Sequence, residues 1–214
     1  MTIKNFFEKL ILLRSKSKVI RNFNRNSKPF DYIINDFFYD IDFRNKFILD
    51  MGPGQYDFFE LIKNKTNNLF SIDKDKAVVN LGKYRKYNSQ LLDIKNIAQM
   101  DYINFFDIIF CKFSINAFWF HDNDDLHNEV IIKISSMLKK NGSAWIAPWN
   151  GLNKKLLNKK QINHLLDFQI KSFKKVGFNA YYPSKSEINR YGINGMVENN
   201  IIFFKNINFI NQSS

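Results

Sequence analysis

The chain has 214 residues, enough to bury one substantial core and too few for two full-sized domains. A hydrophobic share of 45% with 23 phenylalanines excludes a disordered chain, and the single cysteine, Cys111, excludes an intramolecular disulfide and the Cys-based zinc sites. The formal charge of +12 suggests a polyanionic partner, but lysine carries most of it, the arginines being Arg14, Arg21, Arg25, Arg44, Arg85 and Arg190. A codon bias toward A and T gives such a lysine-, asparagine- and isoleucine-rich chain without any selection for binding. No stretch approaches the roughly 20 apolar residues of a membrane span, and Lys4, Glu8, Lys9 and Arg14 interrupt any signal core. A reducing, cytoplasmic setting is the expectation.

Ile3, Phe6, Phe7, Leu10 and Ile11 recur at helical spacing, which predicts an amphipathic N-terminal helix followed by almost exclusively positive charges as far as Lys28. Such a helix suits a membrane surface. The reading preferred here docks it on its own domain as a lid, apolar face inward and lysines to solvent. Residues 1–43 are therefore read as a helical extension, including a second helix from Phe30 to Phe43, and 206–214 as a loose tail.

Between them, residues 44–205 alternate strand-like and helix-like signals, as in a parallel sheet with crossover helices. Phe47-Ile48-Leu49 is a strand ending at Asp50, and Met51-Gly52-Pro53-Gly54 leads into a helix from about Asp57 to Asn64. Leu69–Ile72 is a strand stopped at Asp73, and a helix over Ala77–Lys86 precedes a strand at Gln90–Leu92 stopped at Asp93. Asp107–Phe113 reads as a central strand covered on both faces. A helix over Leu126–Lys139 should stop at Asn141-Gly142, before a strand at Ser143–Ala147. The helix Lys159–Val176 and strands at Phe178–Tyr182 and Ile201–Phe204 complete the pattern.

Asp50, Asp73 and Asp93 each end a strand, and in an open parallel sheet those ends face one crevice. Gly52-Pro53-Gly54 lets the backbone approach a ligand closely, just before a helix N-terminus. In this order the motifs resemble those of the class I, Rossmann-like S-adenosylmethionine-dependent methyltransferases. Asp50-Met51-Gly52-Pro53-Gly54 is similar to their opening acid-x-Gly-x-Gly signature, and Asp73 to the acid that grips the ribose hydroxyls. Asp93, followed by Ile94, resembles the acid facing the adenine amino group, and Phe106-Asp107-Ile108-Ile109-Phe110 the fourth-strand motif. Leu138-Lys139-Lys140-Asn141-Gly142 and Val176-Gly177-Phe178 resemble the entries to the fifth and sixth strands.

The resemblance implies a doubly wound α/β fold whose mostly parallel seven-stranded sheet has an antiparallel last strand and helices on both faces. It also implies S-adenosylmethionine as cofactor, held by Asp50, Gly52, Pro53, Gly54, Tyr56, Asp73, Asp93, Ile94, Lys112 and Phe113. Tyr56 departs from the pattern, standing where a third glycine is frequent, and is read as narrowing or walling the pocket. The dinucleotide fingerprint of nicotinamide and flavin enzymes fits worse, because its third glycine would fall at Asp57.

Acceptor-side candidates follow the fourth strand, with His121 as a base near neutrality, Asn116 beside it, and Asp122, Asp124 or Asp125 close by. Phe113, Phe118 and Trp119 offer aromatic walls, and Pro148-Trp149-Asn150 lies after the fifth strand. His127 and His164 read as structural or exposed, and no metal site is expected. The Asn-Pro-Pro-Tyr, Pro-Cys and Lys-Asp-Lys-Glu acceptor signatures are absent, as are the clustered acids of a metal-dependent catechol type. What remains favours a small polar acceptor such as a sugar or surface-glycan precursor. The alternatives are an RNA methyltransferase gripping through the basic N-terminal segment and a non-catalytic partner protein.

Overall fold

The first strand, β1 (Ile48–Met51), is buried along its whole length because its side chains alternate between two separate apolar layers. Ile48 joins one layer with Ile108, Phe110 and Trp145, whereas Leu49 and Met51 join the other with Ile109 and Cys111. A computed structural model describes residues 3–21, 27–115, 123–147, 157–193 and 201–205.

Around β1 lie β2 (Leu69–Asp73), β3 (Asn88–Leu91), β4 (Phe106–Lys112), β5 (Leu138–Ala147), β6 (Asn179–Tyr181) and β7 (Ile202–Lys205), in the spatial order β3-β2-β1-β4-β5-β7-β6. The pairings from β3 through β5 are parallel, and β7 runs antiparallel to both β5 and β6. The chain thus builds outward from β1 to β3 and then returns to β4 on the other side. That reversal opens a crevice at the carboxyl ends of β1 and β4.

One face of the sheet is covered by α3 (Lys28–Phe37), α4 (Asp57–Ile62) and α5 (Lys76–Tyr84), and the other by α6 (Asp124–Met137), α7 (Lys159–Lys175) and a 3₁₀ turn at Ile94–Gln99. The Phe110 ring stacks between Phe58 at 4.2 Å and Trp145 at 5.1 Å, joining α4 to the sheet. No helix among the described residues is long and apolar enough to cross a membrane.

Three expectations are corrected. The second helix ends at Phe37, short of Phe43. Helix α6 ends at Met137, and Gly142 lies inside β5 without the left-handed conformation expected of a helix stop. Phe106 pairs with Leu138 but Ile108 with Ser143, so β5 bulges there. A Cβ on Gly142 would meet the Leu138 side chain at 2.8 Å, so close packing accounts for the glycine.

The third correction concerns α1 (Ile3–Leu12), which the short α2 (Lys18–Arg21) follows and whose apolar stripe was expected to face the domain. Instead Glu8 and Leu12 are buried, while Phe6, Phe7, Leu10 and Leu13 are about half exposed. The cause is an ion pair between Glu8 and Arg85, just beyond α5, which turns the opposite side of the helix inward. A short helix the sequence reading lacked, α8 (Lys185–Arg190), is fixed by Arg190 and Tyr191, which both bond to Asp36 of α3.

Candidate functional site

Each of the first three strands delivers an acid to one edge of the sheet. Asp50 lies in β1, Asp73 ends β2, and Asp93 follows β3. All three line a single crevice of about 1760 Å³, larger than the roughly 300–1,000 Å³ of ordinary ligand pockets.

Between β1 and α4 the chain makes a glycine-dependent turn. Gly52 has φ +79, and a Cβ there would collide with the side chain of Ser114, whose hydroxyl donates to the Gly52 carbonyl at 2.9 Å. This glycine lets the loop after β4 close on the loop after β1. Gly54 has φ +56 and nothing within 4 Å of the Cβ position, so crevice space reaches its backbone directly.

Tyr56, expected as a pocket wall, turns into the core and does not line the crevice. Its hydroxyl bonds Ser71 at 3.1 Å, Ser89 at 3.0 Å and the Val78 carbonyl at 3.2 Å. Gly82 of α5 makes room, since a Cβ there would strike the Tyr56 hydroxyl. Three polar partners under α5 outweigh what a crevice-facing phenol would find. The Tyr56 backbone keeps the left-handed φ of 64 that the turn needs.

Burial raises the Asp50 carboxyl well above its ordinary pKa, with Asp73 and Asp57 adding repulsion, and among the described residues nothing hydrogen-bonds to it. Burial likewise pushes Asp73 up to about 6, partly offset by the Asp75 N–H, which donates to its Oδ1 at 2.8 Å. Asp93 accepts from the Lys95 N–H at 3.1 Å and sits between half-exposed Leu91 and the buried Leu92 and Ile94.

The opposite wall is cationic and aromatic. Lys112 ends β4 with its Nζ 4.4 Å from the centre of the Phe30 ring, and burial lowers its amine to about 8 against the pull of Asp57. Phe113 follows with φ 63 and is half exposed in the crevice. Pro53, Ile94 and Ser114 also line it, as do Asp75 and Asn80, which the sequence reading did not select. Asp75 was legible as the N-cap of α5, bonding the Ala77 N–H at 2.9 Å.

Asn116, His121, Asp122 and the Pro148-Trp149-Asn150 segment lie outside the described residues. His127 is buried against Phe168 and held neutral, its pKa lowered to about 4 by burial, while His164 is exposed 3.3 Å from Asp124. Neither lines the crevice.

No family model and no curated protein matches the chain. Solved structures do. A TehB-like S-adenosylmethionine-dependent methyltransferase from Corynebacterium glutamicum aligns over 94% of this chain and 96% of its own, at 15% identity and a TM-score of 0.51. Magnesium protoporphyrin IX methyltransferase from Synechocystis PCC 6803, solved with bound S-adenosylhomocysteine, aligns over 94% and 93% at 12% identity and a TM-score of 0.53. The chain has the class I methyltransferase fold. Within this class I fold the crevice occupies the switch point of the sheet.

Proposed function

We propose that the chain transfers a methyl group from S-adenosylmethionine to a small polar acceptor, with sugars or surface-glycan precursors as the favoured class. The observation that carries this reading is the convergence of Asp50, Asp73 and Asp93 with the open Gly54 backbone on one crevice. In this reading Asp73 accepts from two ribose hydroxyls, and Asp93 with Leu91, Ile94 and Phe113 brackets a purine. Asp50 and the glycine loop would take the amino-acid end, whose ammonium suits a buried carboxyl.

The cofactor supplies a methyl group on a sulfonium with a neutral leaving group. The protein's task is therefore alignment, and no strong general acid is needed. In this reading Lys112, held against Phe30 in the crevice wall, orients an electronegative substituent of the acceptor or, once deprotonated, takes a proton. The missing Asn-Pro-Pro-Tyr, Pro-Cys and Lys-Asp-Lys-Glu acceptor signatures support a small acceptor over RNA.

Calorimetry with S-adenosylhomocysteine tests the cofactor half, with micromolar affinity expected, about −8 kcal/mol. No heat and no melting shift at millimolar ligand would sink it. Methyl transfer from labelled cofactor to pools of sugars, nucleotide sugars and bulk RNA tests the acceptor, and label entering RNA alone would refute the small-acceptor reading.

A further inference from the structure

The N-terminal helix carries its apolar side outward. Successive residues step about 100° around a helix, so Glu8 and Leu12 project from one side of α1 and Phe6, Phe7, Leu10 and Leu13 from the opposite one. Leu13 continues the helix, its N–H donating to the Lys9 carbonyl at 2.9 Å. The inward side is fixed by the buried Glu8–Arg85 pair and by Ser15, whose hydroxyl bonds Asp75. The outward side is a contiguous row of large apolar side chains, more than a scatter of surface residues explains.

Its charge identifies the occupant. Lys4, Lys9, Arg14 and Lys16 are exposed around the row, and Glu8, the one acid between residues 3 and 21, is consumed in the internal pair. The whole outer surface of the segment is therefore apolar and cationic. A second copy of the chain would bring these cations face to face. A nucleic acid would satisfy the cations but offer nothing to Leu10 and Leu13. An anionic lipid surface meets both needs, with headgroup phosphates for the cations and the acyl boundary for the apolar row.

We propose that α1 docks the protein on an anionic membrane surface, with Phe6, Phe7, Leu10 and Leu13 in the interfacial layer and Lys4, Lys9, Arg14 and Lys16 over lipid phosphates. Arg14 and Lys16 also line the rim of the crevice, so docking brings the crevice mouth to the lipid surface.

The test is cosedimentation of the full chain with phosphatidylcholine vesicles with and without phosphatidylglycerol. Binding is expected only where the anionic lipid is present. Phe7→Ser/Leu10→Ser should weaken it about tenfold or more, and Lys4→Glu/Lys9→Glu likewise, at about fivefold per basic residue removed. Both variants should keep the wild-type melting temperature and cofactor affinity, because the altered side chains are exposed. In a Phe7→Trp variant the added emission should shift to the blue on vesicles and be quenched by brominated lipid. The proposal fails if the folded wild type does not sediment with anionic vesicles at low salt. It fails equally if Phe7→Ser/Leu10→Ser binds as well as wild type, which leaves a purely electrostatic surface of the kind nucleic acid uses. A wild-type dimer that Phe7→Ser/Leu10→Ser splits, without vesicle binding, assigns the row to self-association instead.

Discussion

Glu8 and Arg85 meet at two points, Nε to Oε1 at 2.8 Å and Nη2 to Oε2 at 2.9 Å, and neither side chain is more than 2% exposed. The same guanidinium donates through Nη1 to the Gln55 carbonyl at 2.7 Å, so the pair ties the N-terminal helix to the glycine turn. Removing one partner of a buried pair costs about 3–5 kcal/mol. For Glu8→Ala the lower end is expected, because Glu60, 3.7 Å from Arg85, keeps part of the compensation. Glu8→Leu with Arg85→Met should recover most of the loss. Urea unfolding measures both, and a Glu8→Ala cost under about 1 kcal/mol would show the pair to be dispensable.

Asp73, raised to about 6, holds its proton more readily in the folded protein than in the unfolded chain, whose value is 3.8. Between those values stability falls as pH rises, and above about 6 the full penalty of a buried carboxylate is present. Asp73→Asn should therefore stabilise the ligand-free protein near pH 7.5 by about 1–2 kcal/mol, after allowing for partial exposure. It should also weaken cofactor binding about tenfold or more, since a neutral amide accepts less well from the ribose hydroxyls. Wild-type affinity should drop as pH falls through about 6. Paired melting and calorimetry at about pH 5.5 and 7.5 follow all three effects.

Gly54 and Gly52 should respond differently to alanine. At Gly54 the left-handed backbone costs about 1 kcal/mol, but the Cβ position is clear, so Gly54→Ala folds. Its methyl group would occupy the ligand's approach, and affinity should fall about tenfold or more while the melting temperature drops only a few degrees. Gly52→Ala collides with Ser114 and should lose stability and binding together. Equal affinities in wild type and Gly54→Ala would place the cofactor elsewhere.

Tyr56→Phe removes a hydroxyl that faces the core. Ser71 and Ser89 remain bonded to each other at 2.8 Å, so only modest loss follows, about 1–2 kcal/mol in denaturant titrations. Cofactor affinity should stay within about twofold, for the phenol does not line the crevice. A tenfold loss of affinity would show that it communicates with the ligand.

The strand-end acids were legible because two local requirements coincide in them: a stop to an apolar strand and a polar group at a ligand edge. The parallel sheet with crossover helices followed from the alternation of elements, and its antiparallel last strand only from the resemblance to the class I methyltransferases. Tyr56 was not legible, since its direction depends on Ser71, Ser89 and Gly82, far away in sequence. The facing of α1 was hidden for the same reason. Periodicity defined its apolar row, but a partner 77 residues away decided which side turned inward. For α8 the signal is present in Ser184-Lys185-Ser186-Glu187, a capping box, but no apolar stripe follows it to mark a helix.

Cys111 sits near the carboxyl end of β4, buried on the layer opposite Asp50, and burial pushes its thiol pKa far upward. As the chain's single cysteine, it makes the protein its own opening gauge. A thiol reagent should leave the native molecule untouched and label it only when the central strand parts from its neighbours. The labelling rate then reads the frequency of that event without any engineered probe, and a ligand that braces the loops around Gly52 and Ser114 should slow it.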